Sequence, residues 1–124
     1  ETFACYWDHD DGSKTQYLGE QVSHRPPIVA LYIENRKRHL VCNCQIHTRS
    51  RFQAPQTAQS ILDGYADLHV LNRKEMYRIT FPTYNAHNLL FGTMRTEVGG
   101  QALVVCNETG LKAEMDFHQV GMFT

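Results

Sequence analysis

The sequence lacks the features that mark several large classes of protein. No apolar run approaches the roughly 18–20 residues that a membrane-spanning helix needs. Twelve Lys and Arg against 13 Asp and Glu give a net charge of −1, without the basic excess of a nucleic-acid-binding protein. Four cysteines in 124 residues are too few for a disulfide-stapled secreted scaffold. With 42% hydrophobic and 20% charged residues, the sequence predicts a folded globular chain.

A sustained helical period is also missing, whereas the alternation typical of strands is abundant. Leu111, Ala113, Met115 and Phe117 alternate with charged residues, which predicts a half-buried strand. Other apolar runs are rich in β-branched and aromatic residues, which favour strands. The predicted strands are Phe3–Trp7, Tyr17–Val22, Ile28–Glu34, Leu40–Ile46, Leu68–Leu71, Met76–Phe81, Leu89–Glu97, Ala102–Cys106 and Leu111–Phe117.

Turn-forming residues separate these strands. Glycine, asparagine and aspartate predict turns because they adopt the backbone angles that tight turns require. The segments so assigned are Asp10–Ser13, Asn72–Glu75, Gly99–Gly100 and Asn107–Gly110, with a single helical turn within Ala54–Ile61 and a functionally silent loop at Tyr84–Asn88. Hairpin-length connections between many strands predict an all-β antiparallel meander, one wall of a large lipid- or ligand-binding β-barrel.

The cysteines are candidates for redox, metal and catalytic roles. Cys42 and Cys44 share one face of a predicted strand, so they are badly placed to bond each other, and we expect reduced, buried thiols in a cytoplasmic protein. The Cys42-x-Cys44-x-x-His47 spacing does not match structural zinc sites, so no metal is predicted. No local signature supports a Cys–His nucleophile or a calcium loop. The sequence therefore does not predict an enzyme or a cofactor.

One segment stands out chemically: Ser23, His24 and Arg25, followed by Pro26 and Pro27. Proline fixes its own backbone and pushes the preceding residue toward extended geometry, so the chain is stiff just after the polar triplet. An imidazole and a guanidinium held together at a strand end suit an anion such as a phosphate. The alternative interpretation is a proline turn with solvated polar residues.

The stretch Glu20-Gln21-Val22-Ser23-His24-Arg25-Pro26-Pro27 resembles the signature Glu-Gln-Val-Ser-His-His-Pro-Pro of the oxysterol-binding protein family. Seven of the eight positions match, and Arg25 replaces the second histidine. Further stretches resemble the family in the same order along nearly the whole chain: Phe3–Trp7, Ile61–Gly64, Leu71–Arg73, Leu90–Met94 and Glu97–Gly100. The segment Phe91–Met94 is most similar to the branch associated with exchange of phosphatidylserine and phosphatidylinositol 4-phosphate.

The resemblance implies a nearly closed barrel that shields one lipid and moves it between membranes, without catalysis. Phosphatidylinositol 4-phosphate is then one ligand, exchanged for sterol or phosphatidylserine. By position, His24 binds the headgroup phosphate and Arg25 occupies the second ligand place, supported by Glu20, Gln21, Ser23, Pro26 and Pro27. The implied location is cytoplasmic, peripheral at membranes or membrane contact sites. The alternative function is a phosphoinositide sensor that carries no cargo.

Arg25 affects how the predicted site binds a headgroup phosphate. Arginine is always charged and can bind two phosphate oxygens, so anion binding is expected to persist. Because arginine is longer than histidine, we expect an altered headgroup geometry. Arg36–Arg38 and the pair Arg49 and Arg51 form short basic patches, expected as solvated turns and edges unless they touch an anionic membrane.

The resemblance also changes the interpretation of the length. The family's lipid-binding domain is several times longer than 124 residues. Residues 1–124 are therefore expected to be its central part, without lid or C-terminal part. In isolation, such a fragment is expected to transfer lipid weakly, or to self-associate through open strand edges.

Overall fold

The computed structural model describes residues 1–120, which form one nine-stranded antiparallel sheet. The strands are β1 (Thr2–Asp8), β2 (Lys14–Ser23), β3 (Ile28–Asn35), β4 (Leu40–Gln53), β5 (Thr57–Val70), β6 (Glu75–Ile79), β7 (Thr83–His87), β8 (Arg95–Cys106) and β9 (Leu111–Phe117). A short 3₁₀ helix, Leu71–Arg73, joins β5 to β6. The all-β antiparallel prediction is confirmed. No helix among residues 1–120 is long and apolar enough to cross a membrane.

The strands pair in chain order, with one variation at β6 and β7. These two short strands lie end to end between β5 and β8, because each pairs with both of the long strands. Gly100, at φ +78°, takes up the change of register where β8 passes from β7 to β6. The predicted turn at Gly99–Gly100 is therefore wrong, since both glycines lie inside β8.

Three other predicted segments differ in the structure. The loop predicted at Tyr84–Asn88 is largely strand β7, which pairs with β5 and β8. The helical turn predicted within Ala54–Ile61 is a turn followed from Thr57 by strand β5. The strand predicted over Leu89–Glu97 begins only at Arg95. In each case, contacts between residues distant in the sequence override the local pattern.

The two faces of the sheet differ sharply in chemistry. Directly paired residues point to the same side of an antiparallel sheet, so a row of partners can be followed across it. One row crosses eight strands through Cys5, Tyr17, Ile33, Cys42, Leu68, Tyr77, Cys106 and Leu111. The next row on that side is Phe3, Gly19, Leu31, Cys44, Ala66, Ile79, Val104 and Ala113. We call this side the apolar face.

Ion pairs and polar side chains occupy the opposite, polar face. The clearest pair is Asp67 with Arg78, which makes two hydrogen bonds of 2.9 Å and stacks its guanidinium over Tyr65. Tyr32 and Arg36 both donate hydrogen bonds to Glu34. Polar and charged side chains tolerate contact with solvent. The alternation predicted from the sequence therefore separates a solvent-facing side of the sheet from an apolar, dry side.

Little of the apolar face is removed from water within residues 1–120. The buried hydrophobic residues of this face are Ala66, Ala102 and Cys106, whereas buried Val41 lies on the polar face. Strand β9 is exposed on both faces, so the half-buried strand predicted at Leu111–Phe117 is an exposed edge strand instead. All four thiols are free, but Cys42 and Cys44 are only partly buried, which corrects the expectation that they are buried; Cys106 alone is buried. The described residues thus form a single layer with a dry side available to a partner.

Candidate functional site

The predicted phosphate-binding residues lie in an exposed turn between β2 and β3. The turn comprises His24, Arg25, Pro26 and Pro27, and the Arg25–Pro26 peptide bond is cis. His24 and Arg25 are both exposed, so their side chains are open to a ligand. Within residues 1–120, neither side chain takes part in a hydrogen bond or ion pair with another protein group. Their donors are therefore available for an anion.

The remaining signature residues build the end of β2 that carries this turn. Glu20 pairs with Ala30 and points to the polar face, whereas Gln21 pairs with Val29 and points to the apolar face. A bulge between Gln21 and Ser23 shifts the register just before the turn. His24 and Arg25 are consecutive residues of the turn. Glu20 and Gln21 lie in β2 and are not part of the turn.

The turn is fixed to the next strand pair. The carbonyl oxygen of Pro27 accepts a hydrogen bond from the backbone N–H of Thr48, and Ile28 pairs with His47. Strands β4 and β5 continue past this point to Gln53 and Thr57. At about 3.3 Å per residue, this ribbon reaches roughly 20 Å beyond the turn. The signature turn therefore sits at the base of a projecting β-ribbon.

Three connections lie at the end of the sheet that carries the signature turn, because the strands alternate in direction. They are His24–Pro27, Ala54–Gln56 and the segment 88–94 between β7 and β8. We call this the signature end. The opposite end carries the turns near residues 9–13, 36–39, 71–74 and 107–110.

Arginine dominates the electrostatics beside the signature turn. Arg49 of β4 forms an ion pair with Asp63 of β5, and its hydrogen bond holds the pKa of that carboxyl below its usual range. Arg51 follows two residues later on the same face of the same strand and is exposed. Because Asp63 offsets the charge of Arg49, the uncompensated positive charge on this ribbon is that of Arg51, which favours a phosphate. Within residues 1–120, no cluster of three or more metal-binding side chains occurs.

Sequence reasoning missed a second element of the signature end. The side chain of Gln56 accepts hydrogen bonds from the amides of Leu90 and Phe91, at 3.3 and 2.8 Å, and donates one to Asn88. Gln56 thereby ties segment 88–94 to the β4–β5 turn. No local pattern reveals a contact between residues more than 30 positions apart, so sequence periodicity could not find it.

The apolar face carries a hollow close to this end. Its volume is about 560 Å³, and its lining includes Ala58, Ser60, Tyr84, Ala86 and Val98. Alanine and serine leave room above the sheet, while tyrosine and valine provide apolar walls. This space on the apolar side of the sheet, at the same end as the signature turn, is suited to the tail of an amphiphile rather than to a fully polar ligand.

Comparison with known proteins identifies the family of the chain. The family model described as oxysterol-binding protein matches residues 1–124. The chain belongs to the oxysterol-binding protein family. The resemblance seen in the signature is therefore confirmed at the level of the family.

Several curated proteins of the family are similar in sequence. Mouse oxysterol-binding protein-related protein 5 and human oxysterol-binding protein-related protein 8 are each 42% identical over 118 residues. Each alignment covers 94% of this chain but 13% of the relative. Oxysterol-binding protein 4 of Dictyostelium discoideum is 38% identical and matches 99% of this chain, which covers 26% of it.

A solved structure shows the same fold. The crystal structure of Osh3 ORD in complex with PI(4)P from Saccharomyces cerevisiae superposes with a TM-score of 0.84 at 26% identity. All of this chain and 32% of that chain are covered. The Osh1 ORD domain in complex with ergosterol superposes at 0.75 with 23% identity, covering 90% of this chain and 27% of that one. The chain thus spans about a third or less of the relatives that it matches.

Proposed function

We propose that this chain forms part of the wall of a lipid-transfer domain, which binds phosphatidylinositol 4-phosphate and exchanges it for sterol or phosphatidylserine. The observation that carries the proposal is the position of the signature turn at one end of a sheet with one largely apolar face. Membership of the oxysterol-binding protein family supports it. So does the similarity to an Osh3 structure in complex with PI(4)P.

The apolar face is the part that takes the lipid tails. Moving an acyl chain from a bilayer to an apolar protein surface exchanges one dry environment for another, so the net cost is small. Rows of side chains such as Ile33, Leu68 and Ile79 offer this surface across the sheet. The hollow near Ala58 and Ala86 leaves room for a tail at the signature end.

His24 and Arg25 hold the headgroup. Both are exposed at the end of the apolar face, and both donate hydrogen bonds that a phosphate accepts. Arg25 donates through a planar fork, so it engages two phosphate oxygens where an imidazole engages one. Glu20, Gln21, Ser23, Pro26 and Pro27 act indirectly, by setting the end of β2 and the shape of the turn.

The cargo follows from the resemblance of segment 88–94 to the phosphatidylserine branch of the family. The residues that carry it are Phe91, Gly92, Thr93 and Met94. Related proteins 5 and 8 are among the relatives most similar in sequence, which supports placing this chain with them. The protein then acts in the cytoplasm, peripherally at membranes or membrane contact sites, as a carrier rather than an enzyme.

Transfer between two vesicle populations tests the proposal. Donor vesicles contain labelled phosphatidylinositol 4-phosphate, acceptor vesicles contain labelled phosphatidylserine or sterol, and the complete natural polypeptide is added. A carrier moves both lipids in opposite directions. Binding to phosphoinositide vesicles without movement of either label would instead identify a sensor.

A further inference from the structure

Four hydroxyl groups line the hollow on the apolar face. They belong to Ser50, Ser60, Tyr84 and Thr96. Ser50 pairs with Ser60, and Ser60 pairs with Tyr84, so these three residues form one row across β4, β5 and β7. Thr96 stands in the next row, opposite Ala86. Because neighbouring strands are about 4.8 Å apart, the four hydroxyl groups are gathered around one small space rather than spread over the sheet.

These hydroxyl groups have no partners in the part of the chain that the structure describes. None of the four takes part in a hydrogen bond with another group of residues 1–120. Two other tyrosine hydroxyls behave differently, since Tyr32 donates to Glu34 at 2.7 Å and Tyr77 donates to Glu75 at 2.6 Å. A hydroxyl group that loses water without gaining a partner costs free energy. A ligand that covers the hollow is therefore favoured if it brings polar atoms to these four groups.

The hollow is polar but carries no positive charge. No Lys, Arg or His contributes to its lining within residues 1–120. Glu97 adjoins the hollow, but its side chain lies on the polar face of β8, where it contacts His87 at 2.6 Å and accepts a hydrogen bond from the amide of Val120 at 3.2 Å. A phosphate favours cationic donors, whereas neutral hydroxyl donors suit a neutral acceptor such as a carbonyl oxygen.

The position of the hollow matches the order of the parts of a phospholipid. Ser50 lies two residues, or about 7 Å of strand, beyond Thr48, whose amide is bonded to Pro27 of the signature turn. On the other side, β5 continues from Ser60 on the same face with residues that have no polar side chain, namely Leu62, Gly64, Ala66 and Leu68. In a diacyl phospholipid, two ester groups likewise stand between the phosphate-bearing headgroup and the tails.

We propose that this hollow is a subsite for the ester carbonyl oxygens of a diacyl phospholipid, with the hydroxyl groups of Ser60 and Tyr84 as the central donors. The proposal rests on the proposed lipid-transfer function and adds the chemical group of the lipid that this part of the apolar face recognises. Ether-linked lipids lack the carbonyl oxygens and leave the hydroxyl groups unpaired. The subsite therefore selects ester-linked over ether-linked chains.

Competition between ester-linked and ether-linked lipid tests the subsite, because an ether linkage replaces each carbonyl group by a methylene group. The complete natural polypeptide is loaded from detergent with an equimolar mixture of phosphatidylinositol 4-phosphate and its di-ether analogue of equal chain length. Native mass spectrometry separates the two complexes by mass. The unmodified protein is expected to retain the ester form in about fivefold excess, the effect of one net hydrogen bond. Equal retention of the two lipids would overturn the proposal.

Two variants remove hydroxyl groups while keeping most of the side-chain volume. Tyr84→Phe is expected to lower the ester excess to about twofold, and Ser60→Ala combined with Tyr84→Phe to abolish it. Tyr65→Phe is the matched control, because Tyr65 lies on the polar face and is 40% exposed, against 47% for Tyr84. It is expected to keep the full excess.

The ratio of the two lipids is insensitive to partial misfolding, because both compete for the same protein. A variant that folds less well lowers the total loading but not the ratio, and Tyr84→Phe alone decides if the double variant retains no lipid. An ester excess that survived in these variants, or that fell equally in Tyr65→Phe, would refute the subsite.

Infrared spectroscopy reports the carbonyl contact itself. Phosphatidylinositol 4-phosphate labelled with ¹³C at both ester carbonyl groups is bound to the unmodified protein and to Tyr84→Phe. A hydrogen bond lowers the stretching frequency of a carbonyl group, so the labelled band is expected at lower frequency in the unmodified protein than in the variant. A band at the same frequency in both proteins would show that the hydroxyl group contacts something other than the ester, and would refute the proposal.

The outcome for the subsite is distinguishable from that for the proposed function. If the unmodified protein retains neither the ester nor the ether lipid, the proposed lipid-transfer function is refuted, and the subsite with it. If it retains both lipids equally, lipid binding stands and the subsite alone is refuted.

Discussion

The backbone N–H of Thr48 donates a hydrogen bond to the carbonyl oxygen of Pro27, with 3.3 Å between the two heavy atoms. This bond fixes the turn bearing His24 and Arg25 to β4, where Arg49 follows immediately. The proposed headgroup site is therefore a feature of three neighbouring strands rather than of one loop. Its position at the end of the apolar face leads to the following predictions.

Replacing Arg25 by histidine restores the family signature and tests how the substitution works. We expect Arg25→His to change extraction of phosphatidylinositol 4-phosphate from vesicles by less than tenfold, because both side chains donate to phosphate. The measurement is the lipid recovered with protein after sedimentation of the vesicles. Arg25→Gln, which loses the charge, is the control and is expected to extract less. A gain of tenfold or more with histidine would show that arginine impairs the site.

Gly64 is expected to be irreplaceable in β5. Its φ is +111°, and a Cβ atom there would overlap the carbonyl oxygen of Gln45 on β4. Gly64→Ala must therefore disturb the β4–β5 pairing, with an expected loss of more than about 2 kcal/mol in the free energy of unfolding. Denaturant unfolding measures this loss.

Gly110 provides the matched control for backbone strain without a clash. Its φ is +72°, and nothing lies within 4 Å of the corresponding Cβ position. Gly110→Ala is expected to cost about 1 kcal/mol, from the left-handed backbone alone. Equal losses for the two variants would contradict the close approach of Gln45 to Gly64.

The ion pair between Asp67 and Arg78 is expected to make stability depend on acid pH. The hydrogen bond from Arg78 lowers the pKa of Asp67. Stabilisation is thus present above the carboxyl's unfolded pKa, about 4, and is lost as pH falls through the lower folded value. Asp67→Asn is expected to remove about 1 kcal/mol near pH 7 and to flatten the decline of unfolding free energy below about pH 5.

An exposed pair serves as the comparison for that titration. Asp8 lies 3.9 Å from Lys14, and its side chain is 71% exposed. Asp8→Asn is expected to leave the unfolding free energy within about 0.5 kcal/mol of the unmodified protein. If Asp67→Asn behaved in the same way at every pH, the Asp67–Arg78 pair would contribute nothing to stability.

Two thiols on the apolar face are expected to report lipid binding. Partial burial raises the pKa of the Cys42 and Cys44 thiols, so both should alkylate slowly at neutral pH. A bound lipid tail is expected to slow the reaction further, by about tenfold, because it covers the same face. Mass spectrometry of peptides from lipid-loaded and lipid-free protein gives the rates. Identical rates would place the lipid elsewhere.

The sequence predicted those parts of the fold that local pattern controls. The alternation in Leu40–Ile46 and the hairpin residues Asp10–Ser13 and Asn107–Gly110 correspond to β4 and to two observed turns. The eight-residue signature indicated the family from consecutive residues alone, and the family assignment is confirmed. These features could be predicted because each depends on neighbours in sequence.

Features that depend on distant partners could not be predicted. Asn85 looks like a loop residue but is buried in β7, where it accepts a hydrogen bond from Gln59 of β5. Gly100 looks like a turn residue but accommodates a bulge within β8. The strand predicted from Leu89 is prevented by Gln56, whose side chain takes two of the amides that a strand would use.

The central claim is that the signature turn holds the phosphate of a lipid whose tails lie on the apolar face. The most direct test is extraction of phosphatidylinositol 4-phosphate from vesicles by the complete natural polypeptide and by its His24→Ala variant. We expect extraction by the unmodified protein and a loss of at least about tenfold in the variant, which lacks a charge-assisted hydrogen bond to phosphate. Equal extraction by the two proteins, or none by either, would contradict it.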